Sequence, residues 1–160
     1  MKAATIHELK KELGTLEKKD LLELCLRLGK YKKDNKELLT YLLFEAHDEQ
    51  GYIAAIQQDM DEQMQAMNRN NLYLTKKSLR KILRTANKFI RYSGSKQTAV
   101  EVLMHFCATV KASGIPIRES RVLTNMYAMQ IKKIRTALSG LHEDLQYDYE
   151  VQLEPLTETL

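Results

Sequence analysis

A chain of 160 residues has the length of one domain, with or without a small appendage, and enough material to bury a core without staples. With 44% apolar and 29% charged residues and a formal charge of +4, its composition is that of a soluble globular protein. Two cysteines are too few for a disulfide scaffold, and no apolar run approaches the length of a membrane span.

The chain opens on MKAATIHELKKELG, which is amphipathic and charged and lacks the apolar centre of a signal peptide, so a reducing cytoplasm is the expected location. Thr5 followed by Glu8 forms a capping-box pattern. Glycines 14, 29, 94, 114 and 140 each follow an apolar segment of helical period, the position at which glycine ends helices. These stops predict helices near 5–13, 17–28, 35–46, 50–68, 75–93, 96–113, 118–139 and a short one at 141–147, with no strand. The phase of the apolar residues runs through Gly51, but HDEQG reads as a turn, so 35–68 is expected to be two helices. The expected fold is all-α: an antiparallel helical bundle or short stack of helix pairs, seven or eight helices with no sheet. Residues 1–147 are expected to form one domain, with 1–30 as an N-terminal helical hairpin. The acidic tail 148–160, which contains Pro155, is expected to be flexible.

Cys25 and Cys107 both stand in apolar helical runs and read as small buried hydrophobes. Met60, Met64 and Met67 recur at i, i+4, i+7, a helix seam that serves either as core or as an adaptable face for a partner helix.

The segment Leu74–Gln97 carries eight Lys or Arg and no acid. With Leu79 at the origin of a helical wheel, Ile82, Leu83, Ala86, Phe89 and Ile90 fall within about 80° of it. Lys77, Arg80, Lys81, Arg84, Lys88 and Arg91 fall between about 100° and 200°, forming a basic stripe opposite the apolar face. Such a stripe suits phosphate, an acidic partner or the protein's own acids. Glu37–Glu62 holds seven acids and no base, so an antiparallel pairing of the two segments would set Glu45, Asp48, Glu49, Asp59, Asp61 and Glu62 against the stripe. Internal pairing is the reading the charge blocks favour.

Candidate chemistry is sparse. Glu101 and His105 share a helix face at i, i+4, expected to point to solvent opposite Val100, Leu103, Phe106, Cys107 and Val110. The clusters Glu45/His47/Asp48/Glu49 and His142/Glu143/Asp144 contain ligand-type residues at no metal-binding spacing. Ser93–Lys96, SGSK, opens a helix and reads as a capped loop with Ser95 as the N-cap. No phosphate-binding glycine motif, nucleophile elbow or zinc-protease motif occurs, so neither catalytic residues, metal, cofactor nor a small-molecule substrate is expected.

The opening third, ELKKELGTLEKKDLLELCLRLGKYKKDNKELLTYLL from Glu8 to Leu43, resembles a family of small uncharacterised bacterial all-helical proteins, with Leu9, Leu13, Leu16, Leu21, Leu22, Leu39 and Leu42 at its apolar positions. The resemblance implies an all-helical fold and brings no activity or site. HELKKELG with KKDLLELCLRL also resembles a SAP DNA-binding module, although Gly14–Asp20 is shorter than the loop of that family. The function expected is a non-enzymatic protein-interaction or adaptor module of the bacterial cytoplasm that binds a protein partner or itself. The alternative is nucleic-acid binding through the basic helix 75–93.

Overall fold

The computed structural model describes residues 2–158, and these are all-α. Eight α-helices follow one another: α1 (Ile6–Leu13), α2 (Lys18–Tyr31), α3 (Lys33–Thr40), α4 (Glu49–Gln65), α5 (Leu72–Ser93), α6 (Lys96–Ala112), α7 (Arg121–Leu138) and α8 (Glu143–Thr157). A π-helical turn covers Tyr41–Glu45 and a 3-10 turn covers Ile117–Glu119. The chain divides into two compact units, Met1–Phe44 and Glu45–Leu160. This replaces the expected single domain with a hairpin over 1–30. The division comes later because α3 packs on α2 and extends the N-terminal unit.

Within the first unit, Thr5 and Glu8 form the expected capping box. Glu8 Oε2 accepts from the Thr5 amide at 2.7 Å, and Thr5 Oγ1 accepts from the Glu8 amide at 3.3 Å. The Thr5 amide and hydroxyl hold the Glu8 carboxyl below the usual range. Gly29 does not end its helix, as its spacing suggests, but lies inside α2. A Cβ there would stand 2.9 Å from a Leu39 methyl, so glycine is what lets α3 approach. Asn35 closes the same junction by donating to the Leu28 carbonyl at 2.8 Å.

The second unit is built around α6. Thr98, Val100, Val102, Leu103, Met104, Phe106, Cys107 and Val110 are all buried and cover about two thirds of the circumference of this helix. A helix buried over so wide an arc needs several neighbours. They are α4, α5, α7 and α8, each packed on α6. The chain doubles back at each step. Tyr52 near the start of α4 donates to the Phe89 carbonyl near the end of α5 at 3.1 Å. Arg69, after α4, donates to the Ser113 carbonyl after α6 at 3.3 Å. Gly94 ends α5 in the left-handed conformation, φ 67°, and Ser95 caps α6 as its sequence predicts. The 35–68 segment is two helices, as HDEQG suggests, with Asp48 capping α4 through the Gly51 amide at 3.0 Å.

The expected flexible tail is instead the second half of α8, up to residue 158; residues 159–160 lie outside the described part. Leu153 and Leu156 are buried. Pro155 removes a helical donor, but the carbonyls around it find partners on other elements. Lys111 Nζ donates to Pro155 O at 2.7 Å, the Tyr127 hydroxyl to Leu156 O at 2.9 Å and Arg118 Nη2 to Glu158 O at 2.9 Å. Side chains from three places thus complete the end of α8 and anchor it. Leu153→Ala should therefore destabilise the fold by roughly 2–5 kcal/mol, the range for a buried leucine. Urea unfolding followed by circular dichroism measures it; a flexible tail would give no change.

The two cysteines part company. Cys107 is buried and Cys25 is exposed, against expectation, because α2 buries no residue at all. Burial pushes the Cys107 thiol up to about 12, with the Tyr127 hydroxyl opposing the shift. A thiol reagent should label one cysteine in the native protein at pH 8 and the second only after unfolding. Because the folded state disfavours the Cys107 thiolate, this stabilising contribution is complete below the unfolded value near 9 and is lost as pH rises towards 12.

Candidate interaction surfaces

The basic stripe forms as the periodicity predicts. Leu79, Ile82, Leu83 and Ala86 are buried, while Lys77, Arg80, Lys81, Arg84 and Arg91 on the opposite face of α5 are exposed. Lys88 is half-buried with its ammonium 5.2 Å from the centre of the Phe89 ring.

The internal pairing that the charge blocks suggest does not reach the exposed bases of the stripe. Among the described residues, no ion pair joins Lys77, Arg80, Lys81, Arg84 or Arg91 to an acid. The α4 acids are engaged elsewhere. Glu49 accepts from the hydroxyls of Ser93 and Thr98 at the start of α6. Its carboxylate thereby occupies the anion position that SGSK offers. Asp61 meets His105 Nε2 at 2.7 Å and accepts from Thr109 Oγ1 at 3.4 Å. Asp48 caps its own helix, and Asp59 and Glu62 accept from Gln63 and Gln58 on α4 itself. Helical phase explains the outcome. α4 turns Asp61 and Glu49 towards α6, whereas the stripe on α5 faces away from the bundle.

The methionine seam is core. Met60, Met64 and Met67 are 2%, 1% and 8% exposed, which leaves nothing for a partner helix to grip. Glu101 and His105 do not face open solvent. They line a groove of about 450 Å³ between α4, α6 and α8, with Gln57, Ala108, Tyr149 and Gln152 among its walls. Each is tied to a different neighbour. His105 pairs with Asp61 of α4, while Glu101 accepts from the Tyr149 hydroxyl of α8 at 2.6 Å and from Gln97 Nε2 at 2.9 Å. The groove polar groups thus satisfy one another and fasten α4 and α8 to α6. Glu101, His105 and Asp61 do not converge on a metal site, and no group of three or more ligating side chains does among the described residues. Only the helical spacing of Glu101 and His105 was visible in sequence; Tyr149 and Asp61, the partners on other helices, lie more than forty residues away.

The largest apolar surface was not singled out by sequence. Twelve of the nineteen exposed large hydrophobic side chains belong to residues 6–44, including Ile6, Leu9, Leu22, Leu26, Leu28 and Phe44. Among the described residues of that unit only Tyr41 is buried, although α1 and α2 are leucine-rich. The signal was present as leucines spread over rather more than half the circumference of α2. Leu21, Leu22, Leu24, Leu26 and Leu28 cover more of the helix than α3 alone can cover.

No helix among the described residues is long and apolar enough to cross a membrane. The sequence matches no protein-family model and no curated protein, and the fold matches no solved structure.

Burial and the bond to Glu101 push the Tyr149 hydroxyl up to about 12, from an ordinary value of 10. The difference in alkaline absorbance titration between the wild type and Tyr149→Phe should therefore show one tyrosine ionising near pH 12. Ionisation at pH 10 would mean that the Glu101 bond does not hold in solution.

Proposed function

We propose that this chain is a non-enzymatic interaction module of the bacterial cytoplasm, and that residues 6–44 are its docking element. The observation that carries the reading is the exposure of leucines over a unit with almost no core of its own. Contiguous apolar surface on a soluble protein marks a contact site. A unit of this size also sits near the lower limit at which a chain stabilises itself without a partner, a metal or disulfides. Complete burial of one leucine is worth about 1.5–3 kcal/mol, so covering even a few of these side chains supplies substantial binding energy before the cost of association.

The chemistry of the partner follows from the rim. Residues 1–44 carry ten Lys or Arg against seven acids. An apolar helical face bordered by acids complements such a surface. The groove of Glu101 and His105 gives an enzymatic reading little support, since its titratable groups are engaged with neighbouring side chains.

The test places a photoreactive amino acid at Leu28 of the full chain and crosslinks it in cells. The captured protein is then purified and titrated against the wild type and Leu22→Asp/Leu26→Asp. Affinity should fall at least about tenfold, a modest fraction of the two lost leucine contacts, with unchanged helix content. Equal binding by both forms, or no crosslink from this surface, would refute the reading. Loss of helix in the variant would show that these leucines maintain the fold instead.

A further inference from the structure

The stripe on α5 has a counterpart of opposite sign. The described part of α8 and its cap, Glu143–Glu158, holds six acids and no base, and α5 holds seven bases and no acid. On α8 the residues facing away from buried Leu153 and Leu156 are Asp144, Asp148, Glu154 and Glu158, with Tyr147 and Val151 between them. Tyr147 is 73% and Val151 56% exposed. On α5 exposed Tyr73 continues the line of Lys77, Arg80 and Arg84. Lys77–Arg91 and Asp144–Glu158 each span about 21 Å at 1.5 Å per residue.

The two stripes cannot meet within one molecule. α6 separates them, touching α4, α5, α7 and α8. α4 and α5 pack together, as do α7 and α8. Lys133 of α7 donates to Asn87 of α5 at 3.1 Å, and α4 and α8 flank the groove. The order around α6 is therefore α4, α5, α7, α8, which puts α5 and α8 on opposite sides.

We propose that α5 of one copy of this chain docks on α8 of another, so that the protein assembles head to tail. The partner is a second copy because the same unit carries both complementary surfaces at matching length. Taken together, residues 45–160 are nearly neutral, with fifteen Lys or Arg against fourteen acids, a charge-polarised body rather than a cationic one. A long polyanion would be attracted on one side and repelled on the other. Because the two surfaces differ, the contact is heterologous and propagates into chains or rings instead of closing as a two-fold dimer. Exposed ion pairs are individually weak and screened, so the contact is reversible and salt-sensitive, with the tyrosines and Val151 adding apolar area.

The measurement is sedimentation of the full chain in the Leu22→Asp/Leu26→Asp background, which removes association through the leucine surface. It is run at about 20 mM and about 0.5 M salt, where screening lengths are roughly 20 Å and 4 Å. Mass should rise with concentration above the 18.6 kDa monomer at low salt and return to it at high salt. Lys77→Gln/Arg80→Gln/Lys81→Gln/Arg84→Gln and Asp144→Asn/Asp148→Asn/Glu154→Gln should each be monomeric alone, with wild-type helix content. Their equimolar mixture should give dimers and nothing larger, because only one pairing remains. A monomer at low salt, or either variant associating like its parent, would overturn the proposal. So would a parent that stays monomeric yet binds a short DNA duplex, with binding lost in the α5 variant; the stripe would then be a phosphate footprint.

Discussion

The burial of α6 over most of its circumference is the constraint from which the rest of the second unit follows. A helix that buries Thr98, Phe106, Leu103 and Met104, spread over about two thirds of its circumference, cannot lie on a surface. It must be surrounded, and the chain supplies the surrounding helices from both sides in sequence. α4 and α5 come before it, α7 and α8 after it. The links between α4 and α5 and between α5 and α6 are short, and each of these helices reverses on its predecessor. The long-range polar bonds, from Glu49, Asp61, Glu101 and Tyr149, run from the outer helices to this central one. They fix how the outer helices lie along it more than they contribute stability.

This arrangement also determines where charge accumulates. Carboxylates on the inner side of α4 are consumed by hydroxyls and by a histidine on α6, so they cannot compensate the bases on the outer side of α5. Carboxylates on α8 face outward on the other flank. Two adjacent blocks of opposite charge in the sequence thus leave Lys77, Arg80, Lys81, Arg84 and Arg91 exposed along one face, while a third, distant block forms an acidic face elsewhere. Charge order along a chain and charge order in space differ because a helix assigns neighbouring residues to different faces.

Local periodicity was enough to read the helices, their caps and the apolar face of α5, since these depend on residues within a few positions of one another. Thr5 with Glu8 and Ser95 with Thr98 are such cases. Contacts across the fold were not legible. Gly29 has the spacing of a helix stop yet lies inside α2, close to a Leu39 methyl that no local pattern connects to it. Residues 148–158 have the composition of a frayed tail, with many acids and a proline. Their order depends on Lys111, Arg118 and Tyr127, which no local pattern connects to them. The methionines were ambiguous for the same reason, because a seam is visible in sequence but its occupant is not. Of the candidate surfaces, the stripe was legible and its freedom was not, and the leucines of α2 were visible only as an excess.

The anchorage of α8 has an evolutionary corollary. Its last turn is gripped by main-chain carbonyls, which every residue type possesses. Substitutions among the outward side chains of that helix leave those anchor points in place. Selection can therefore retune the sign and spacing of the outer face, changing what it adheres to, with little penalty in folding. Lys111, Arg118 and Tyr127 have no such latitude, because each grips with its own side chain. In descendants of this chain the fold alone would hold Lys111, Arg118 and Tyr127 fixed, and any constancy on the exposed flank of α8 would come from what docks there.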